Sequence, residues 1–172
     1  MIKLICGLGN PGREYAATRH NAGWMILEAV SGQCDWQKKF KGLYAQDFFF
    51  PGNKVVFLKP ETFMNKSGES LRACMDFFSI GPDEILVLHD ELELQFGKTE
   101  LKTGGGLGGH NGLKSVVQHI GTRDFRRLRF GIGRPAHGNV SSYVLSKFSK
   151  DEEAFLPGYI DDAVRLIREI SA

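Results

Sequence analysis

Residues 1–12 read MIKLICGLGNPG, an apolar run that passes directly into a glycine-rich turn. The β-branched and apolar residues from Ile2 to Cys6 predict a short buried strand. The turn that follows, GLGNPG at 7–12, has the spacing G-x-G-x-x-G, which in a βαβ unit forms the loop that binds the pyrophosphate of a dinucleotide. The sequence around these glycines indicates whether they bind a dinucleotide or have another role.

The context of the glycines argues against a dinucleotide. In that motif a helix begins inside the glycine pattern, so that its N-terminus faces the pyrophosphate. Here the helical pattern begins only at Asn21. The acidic residue expected at a strand end about 20 positions further on is also missing, since Glu28 lies within that helix. We therefore interpret 7–12 as a tight turn that exposes Asn10, with a dinucleotide oxidoreductase as an alternative.

The remaining sequence alternates between strand patterns and helix patterns. Strands are predicted over 2–6, 43–50, 55–58, 84–89, 98–102 and 127–132, and helices over 21–31, 67–80, 111–120 and from about 158 onward. The strands on either side of Pro51-Gly52-Asn53 are predicted to form an antiparallel hairpin. This alternation predicts an α/β fold with helices on both sides of a mixed sheet.

Length and composition predict one globular domain, residues 1–172. A chain of 172 residues, 42% hydrophobic and 24% charged, suits a single soluble core. No apolar stretch is long enough to span a membrane. The cysteines Cys6, Cys34 and Cys74 are odd in number and widely spaced. This spacing predicts free thiols in a reducing cytoplasm rather than disulfides or a zinc site.

Basic residues are concentrated in one part of the sequence. Between Lys102 and Lys150 there are nine Lys and Arg residues against one acidic residue, Asp124, while the net charge of the whole chain is only +2. Such segregation favours an anionic partner such as a nucleic acid. The alternative is that these basic residues, although close in the sequence, do not form one patch on the protein surface.

Polar residues follow three of the predicted strands. Asn10 follows strand 2–6, Asn65 lies in the segment after strand 55–58, and Asp90 follows strand 84–89. If these strands are parallel, their carboxyl ends lie along one edge of the sheet, which is where open α/β sheets bind ligands. We therefore expect these side chains to converge.

A second glycine-rich stretch, GGGLGGHNG at 104–112, lacks the features of a phosphate-binding P-loop. That loop requires G-x-x-x-x-G-K-[ST], but His110 and Asn111 follow Gly109. We interpret the stretch as an exposed loop. Asn111 then either caps the next helix or also contacts a ligand.

His20 is the strongest candidate for a catalytic base. It lies in the segment that follows the first strand, and Asp90 lies at the end of another strand, where a carboxylate would orient the imidazole and keep it basic. No serine or cysteine lies in a G-x-S-x-G elbow, so the pair favours direct activation of water. A metal held by His89 with His20 or His110 is a minority alternative, because no H-E-x-x-H pair is present.

Four blocks of the sequence resemble the motifs of the bacterial-type peptidyl-tRNA hydrolase family. They are GLGNPGREYAATRHNAG, KPETFMNKSGES, LHDELEL and GGGLGGHNGLKS, in the family's order and spacing, and the resemblance extends over essentially the whole chain. It implies a monomeric three-layer α/β/α sandwich around a mixed, mostly parallel twisted sheet. It also implies cleavage of the ester between a peptide and the 3′-terminal ribose of tRNA, without cofactor or metal.

The resemblance also implies roles for individual residues. His20 would be the general base, Asp90 would hold it in its basic form, and Asn10 would sense whether the amino acid is N-blocked. Positions that match contacts to the acyl and CCA end of the substrate are Tyr15, Phe63, Asn65 and Asn111. In the family a cluster of basic residues clamps the 5′-phosphate of the acceptor stem, and Lys102 and Arg129 match that cluster.

The chain departs from the family pattern at two places. Glu100 stands two residues before Lys102, where the family often has lysine, and this weakens the expected phosphate clamp. Pro157-Gly158 interrupts a segment that the family builds as a longer helix, and predicts a kink or a shortened last helix. A protein of this fold that binds RNA without hydrolysis is a further alternative, although this chain retains both His20 and Asp90.

Overall fold

The computed structural model describes residues 1–170, in which strands and helices alternate. The strands are β1 (Leu4–Gly7), β2 (Gln37–Lys39), β3 (Gly42–Phe50), β4 (Asn53–Pro60), β5 (Ile85–Glu91), β6 (Thr99–Thr103) and β7 (Arg126–Gly131). The helices are α1 (Ala22–Ser31), α2 (Ser67–Phe78), α3 (Asn111–Ile120), α4 (Val140–Val144) and α5 (Lys150–Glu169). Within residues 1–170, no helix combines the length and the apolar character that crossing a membrane requires.

The described strands form a seven-stranded mixed sheet in the order β2-β3-β4-β1-β5-β7-β6. β1 lies between β4 and β5 and is parallel to both, and β7 is parallel to β5. The pairs β2–β3, β3–β4 and β6–β7 are antiparallel, so β3 and β6 run against the other five strands. The carboxyl ends of β1, β4 and β5 therefore lie along one edge, and the mixed, mostly parallel sheet is confirmed.

Helices cover both faces of the sheet and bury two apolar clusters. On one face α1 and α5 pack together, and Ile5 and Ile167 belong to the same buried cluster. On the other face α2 and α3 pack together, with Cys6 and Leu71 in the second cluster. Successive side chains of a strand point to opposite faces, so Ile5 and Cys6 contribute to different clusters. The fold is the α/β/α sandwich that the family resemblance implied.

Helix α1 approaches the sheet closely because Gly23 and Gly7 have no side chains. A Cβ at Gly23 would lie 2.4 Å from the carbonyl oxygen of Leu88, and a Cβ at Gly7 would lie 2.5 Å from the carbonyl oxygen of Gly23. The N-terminus of α1 therefore rests directly on β1 and β5. This contact brings the turn before α1 to the carboxyl edge of the sheet. The first glycine of GLGNPG is therefore required for close helix–strand packing.

Most of the predicted elements are present, with ends displaced by no more than two residues. The exception is the last helix, α5, which begins at Lys150 and continues through Pro157. The predicted start near 158 and the predicted shortening were therefore wrong. Ser149 and Glu152 form a capping box that fixes the start of α5, while Ile167 anchors its far end in the core. The short elements β2 and α4 were not predicted from the sequence.

Candidate active site

The centre of the candidate site lies at the carboxyl edge of the sheet, where Asn10, His20 and Asp90 are found. Asn10 is in the turn after β1, and Asp90 is the penultimate residue of β5. His20 is in a single 3-10 turn, Arg19–Asn21, directly before α1. All three residues are buried, with 6%, 8% and 3% of their surface exposed, respectively.

The structure brings His20 and Asp90 into direct contact. Nδ1 of His20 lies 2.9 Å from Oδ2 and 3.1 Å from Oδ1 of Asp90. An ionised carboxylate only accepts hydrogen bonds, so Nδ1 of His20 carries the proton. In the neutral imidazole, Nε2 then keeps its lone pair, which is the arrangement a general base requires.

The pKa values of this pair favour an ionised carboxylate beside a basic imidazole. Burial by itself would raise the pKa of Asp90, but the adjacent imidazoles of His20 and His110 hold it well below its usual range. Burial by itself would lower the pKa of His20, but the charge of Asp90 and the hydrogen bond to it outweigh burial and raise that pKa above 6.5. Asp90 therefore increases the basicity of His20, as a carboxylate partner should.

His110, which the sequence offered only as a possible metal ligand, is also a member of this network. Its Nε2 lies 2.8 Å from Oδ1 of Asp90, so Asp90 receives a hydrogen bond from each of two imidazoles. Nδ1 of His110 accepts the backbone N–H groups of Gly112 and Leu113 at 3.1 and 3.3 Å. His110, and not Asn111, is thus the N-cap of α3. Its place between GG and NG, just before a helix pattern, was the available signal.

Asn10 is held in place by two loops. Its backbone N–H donates to Oδ1 of Asn21 at 2.9 Å, and Nδ2 of Asn21 donates to the Asn10 carbonyl at 3.0 Å. Oδ1 of Asn10 accepts the backbone N–H of Met64 at 2.7 Å. The side chain of Asn21 therefore holds the Asn10 turn and makes no capping hydrogen bond to α1. Because Oδ1 is engaged, Asn10 offers its Nδ2 group as a donor.

A pocket opens beside His20 and Asp90, and its lining includes Asn111 and Ser141. Helix α4 forms one side of the pocket through Val140 and Val144. Within residues 1–170, no hydroxyl or thiol group makes a hydrogen bond to Nε2 of His20. This nitrogen is thus free to bind water.

The other predicted substrate contacts lie around this centre, and only Asn111 lines the pocket itself. Phe63 is 59% exposed and Asn65 is exposed. They flank Met64, whose backbone contacts Asn10, so their segment adjoins the site. Tyr15 is partly buried in the turn that leads to His20. The substrate roles of these four residues stay predictions.

The two predicted phosphate ligands lie near each other, but Arg129 is already paired with acidic residues. In the register of β6 and β7, Glu100 lies opposite Arg129 and Lys102 lies opposite Arg127, so these side chains share one face. Nε of Arg129 donates to Glu91 at 2.9 Å and Nη1 donates to Glu100 at 2.7 Å. Glu100 therefore competes directly with a phosphate for Arg129.

Part of the basic block between Lys102 and Lys150 is not a free cationic surface. Arg127 is only 1% exposed, and its Nη2 donates to the carbonyl groups of Gly104 and Gly106. Arg134 forms an ion pair with Glu93. With Arg129 also paired, the positive surface is smaller than the sequence count indicates.

A transition metal would find its ligands in His20, Asp90 and His110, whose candidate ligand atoms lie within 4.8 Å of one another. The nitrogen–oxygen separations of 2.8 to 3.1 Å are those of hydrogen bonds. Two ligands of a tetrahedral zinc ion, each about 2.0–2.1 Å from the metal, lie roughly 3.3 Å apart. The cluster therefore has the geometry of a proton-sharing network.

His89 also lines the pocket but does not have the properties of a base. It is fully buried, and burial, with the nearby His110, lowers its pKa to about 3. Its Nδ1 donates to the Asp90 carbonyl at 2.8 Å, which leaves Nε2 as an acceptor. A histidine that stays neutral throughout the physiological range acts as a fixed polar group beside Asp90.

The sheet, the pocket at its carboxyl edge and the carboxylate-oriented histidine define an α/β protein with a candidate acid–base site. Comparison with known proteins identifies its family. The family model described as peptidyl-tRNA hydrolase matches residues 4–172. The chain belongs to the peptidyl-tRNA hydrolase family, whose members hydrolyse the ester bond of peptidyl-tRNA.

Individual relatives are similar over nearly the whole chain. The chain is 46% identical to peptidyl-tRNA hydrolase of Sorangium cellulosum over 98% of this chain and 78% of the relative. It is 48% identical to that of Shouchella clausii over 90% of this chain and 85% of the relative. A solved structure of peptidyl-tRNA hydrolase from Acinetobacter baumannii is 44% identical and covers 95% of this chain and 85% of its own, with a TM-score of 0.87.

Proposed function

We propose that this protein hydrolyses peptidyl-tRNA with a water molecule activated by His20. The observation that carries the proposal is the contact of His20 Nδ1 with Asp90, which leaves Nε2 of this pocket-lining residue available as a base. Nε2 takes a proton from water, and the hydroxide oxygen attacks the ester carbonyl carbon. The tetrahedral intermediate then expels the ribose 3′-oxygen, which receives the proton from Nε2. The products are a peptide with a free carboxyl group and a tRNA with a free 3′-hydroxyl.

These groups can supply a substantial rate enhancement. General-base catalysis contributes about 10²- to 10⁴-fold in rate, and preorganised donors at the developing oxyanion contribute a comparable factor. An ester is more labile than an amide, so the mechanism requires neither a covalent intermediate nor a Lewis acid. We assign no metal and no cofactor to the reaction.

Asn10 supports the selection of N-blocked substrates. Its Oδ1 is engaged by the Met64 N–H, so its Nδ2 group is the part that remains available to donate to a ligand. An amide donor suits the carbonyl oxygen of a peptide or an N-acyl group better than the ammonium of an unblocked amino acid. We infer that Asn10 makes this distinction.

The residues around the centre have complementary roles in this proposal. Asn111 lines the pocket, Phe63 and Asn65 flank Met64, which contacts Asn10, and Tyr15 lies in the turn that leads to His20; this placement suits contacts to the acyl group and the CCA end. Lys102 and Arg129 contact the acceptor stem, with Glu100 as a competitor for Arg129. The 172 residues act as a single domain and a monomer in the cytoplasm.

The test is release of N-acetyl-amino acid from N-acetyl-aminoacyl-tRNA by the purified protein. We expect hydrolysis that survives EDTA, with unblocked aminoacyl-tRNA resistant under the same conditions. Loss of activity on chelation would favour a metallohydrolase. tRNA binding without any release would favour the RNA-binding alternative.

A further inference from the structure

Arg19 is the residue next to His20, and it is almost completely buried. Only 8% of its surface is exposed, although it carries a full positive charge. Its backbone N–H donates to the Ser146 carbonyl at 3.0 Å, and Thr18 forms an isolated antiparallel bridge with Lys147. The turn that carries His20 is therefore joined to the segment after α4.

The guanidinium of Arg19 extends the same connection. Nη1 donates to Oγ of Ser146, and Nη2 donates to Oε1 of Glu152 at 2.7 Å. The guanidinium carbon lies 4.1 Å from the ring centroid of Tyr143, in a cation–π contact. One side chain thus contacts α4 through Tyr143, the segment after α4 through Ser146, and the first turn of α5 through Glu152.

Helix α4 needs such an anchor because it is short and only partly buried. It has five residues, and of these only Val144 is buried. Two of its residues, Val140 and Val144, line the same pocket as His20 and Asp90. An isolated helix of this length is unstable in water, so its position depends on tertiary contacts.

We propose that Arg19 is a positioning residue that fixes the α4 wall of the pocket at the correct distance from His20. The inference rests on the proposed function, because it concerns how well the pocket receives the acyl end of peptidyl-tRNA. Lysine at position 19 keeps the charge for Glu152 but cannot also reach Ser146 and stack on Tyr143 with a planar group. The effect of this substitution therefore separates the anchoring geometry from the charge.

The experiment compares Arg19→Lys with the wild type in steady-state hydrolysis of N-acetyl-aminoacyl-tRNA. We expect KM to rise about tenfold while kcat changes much less, because a loosened wall weakens binding of ground state and transition state alike. Hydrogen exchange of residues 139–147 should become faster in this variant. The matched control is Arg165→Lys, whose exposed ion pair with Asp162 lies on α5 away from the pocket.

A double-mutant cycle with Glu152→Gln shows whether the two residues act through one connection. Glutamine preserves the capping box with Ser149 but removes the charge. The combined loss in kcat/KM should be smaller than the product of the two single losses.

A lower melting temperature of Arg19→Lys with unchanged KM and unchanged exchange over 139–147 would reduce Arg19 to a fold-supporting role and overturn the inference. Failure of the wild type to release N-acetyl-amino acid would instead contradict the proposed function.

Discussion

Oδ2 of Asp90 lies 2.9 Å from Nδ1 of His20, a residue seventy positions earlier in the chain. Parallel pairing of β1 with β5 and the close packing of α1 at Gly23 bring the two residues together. The contact determines the tautomer of His20 and raises its pKa.

Asp90→Asn should reduce kcat/KM by about 10²- to 10⁴-fold, because the general base is largely lost. The asparagine amide can donate to Nδ1, which moves the imidazole proton to Nε2, where the base is needed. Loss of the carboxylate charge also lowers the pKa of His20. Because the deprotonated form is active, the residual activity should reach its plateau at a lower pH than in the wild type. A pH profile of kcat/KM measures both effects. If the apparent pKa on the acidic side of that profile is unchanged or higher in Asp90→Asn, the coupling between Asp90 and His20 is contradicted.

His110→Asn separates the two contacts of His110. Asparagine is a good N-cap, so α3 should remain stable, but the hydrogen bond to Asp90 is lost. We expect kcat/KM to fall about tenfold, roughly 1.4 kcal/mol, with little change in the melting temperature. His119→Asn is the control, since Nδ1 of His119 donates to the Ser115 carbonyl of its own helix and His119 does not line the pocket. Unchanged kinetics of His110→Asn would show that Asp90 needs only one imidazole.

Ser141→Ala distinguishes activated water from a serine nucleophile. Ser141 lines the pocket, but no hydrogen bond joins it to His20 within residues 1–170. We expect kcat/KM to stay within about twofold of the wild type, because a nucleophile requires contact with its base. A loss comparable to that of Asp90→Asn, or an acyl-enzyme trapped on the protein, would replace water with serine in the mechanism.

Glu100→Gln should strengthen tRNA binding, because it frees Nη1 of Arg129 from a competing carboxylate. One additional phosphate contact steepens the dependence of log K on log salt concentration by about 0.9. Binding titrations at several salt concentrations measure this slope. Glu93→Gln, which frees the exposed Arg134, controls for a general change of charge. Equal effects of the two variants would remove Arg129 from the phosphate site.

The strand and helix patterns predicted most of this fold because local periodicity reports which faces are buried. The parallel pairing of β1, β4 and β5 was only a condition of the expected convergence of polar side chains, and the structure shows that pairing. The course of α5 was not predicted, because the capping box at Ser149 and the buried anchor at Ile167 hold the helix together across Pro157. Tertiary packing outweighed a local helix breaker.

The candidate site was predictable to a different extent for each residue. The family motifs pointed to His20, Asp90 and Asn10, and the structure brings His20 into contact with Asp90. His110 was missed because its role depends on a side chain twenty positions away, which spacing alone does not reveal. The pairing of Arg129 with two carboxylates was hidden for a similar reason, since only the register of β6 and β7 places Glu100 opposite it.

The most direct test of the account is the rate of N-acetyl-aminoacyl-tRNA hydrolysis by His20→Ala under single-turnover conditions with saturating protein. We predict a rate about 10²- to 10⁴-fold below that of the wild type, with tRNA affinity and melting temperature essentially preserved. Hydrolysis at the wild-type rate by this variant would contradict the assignment of His20 as the base.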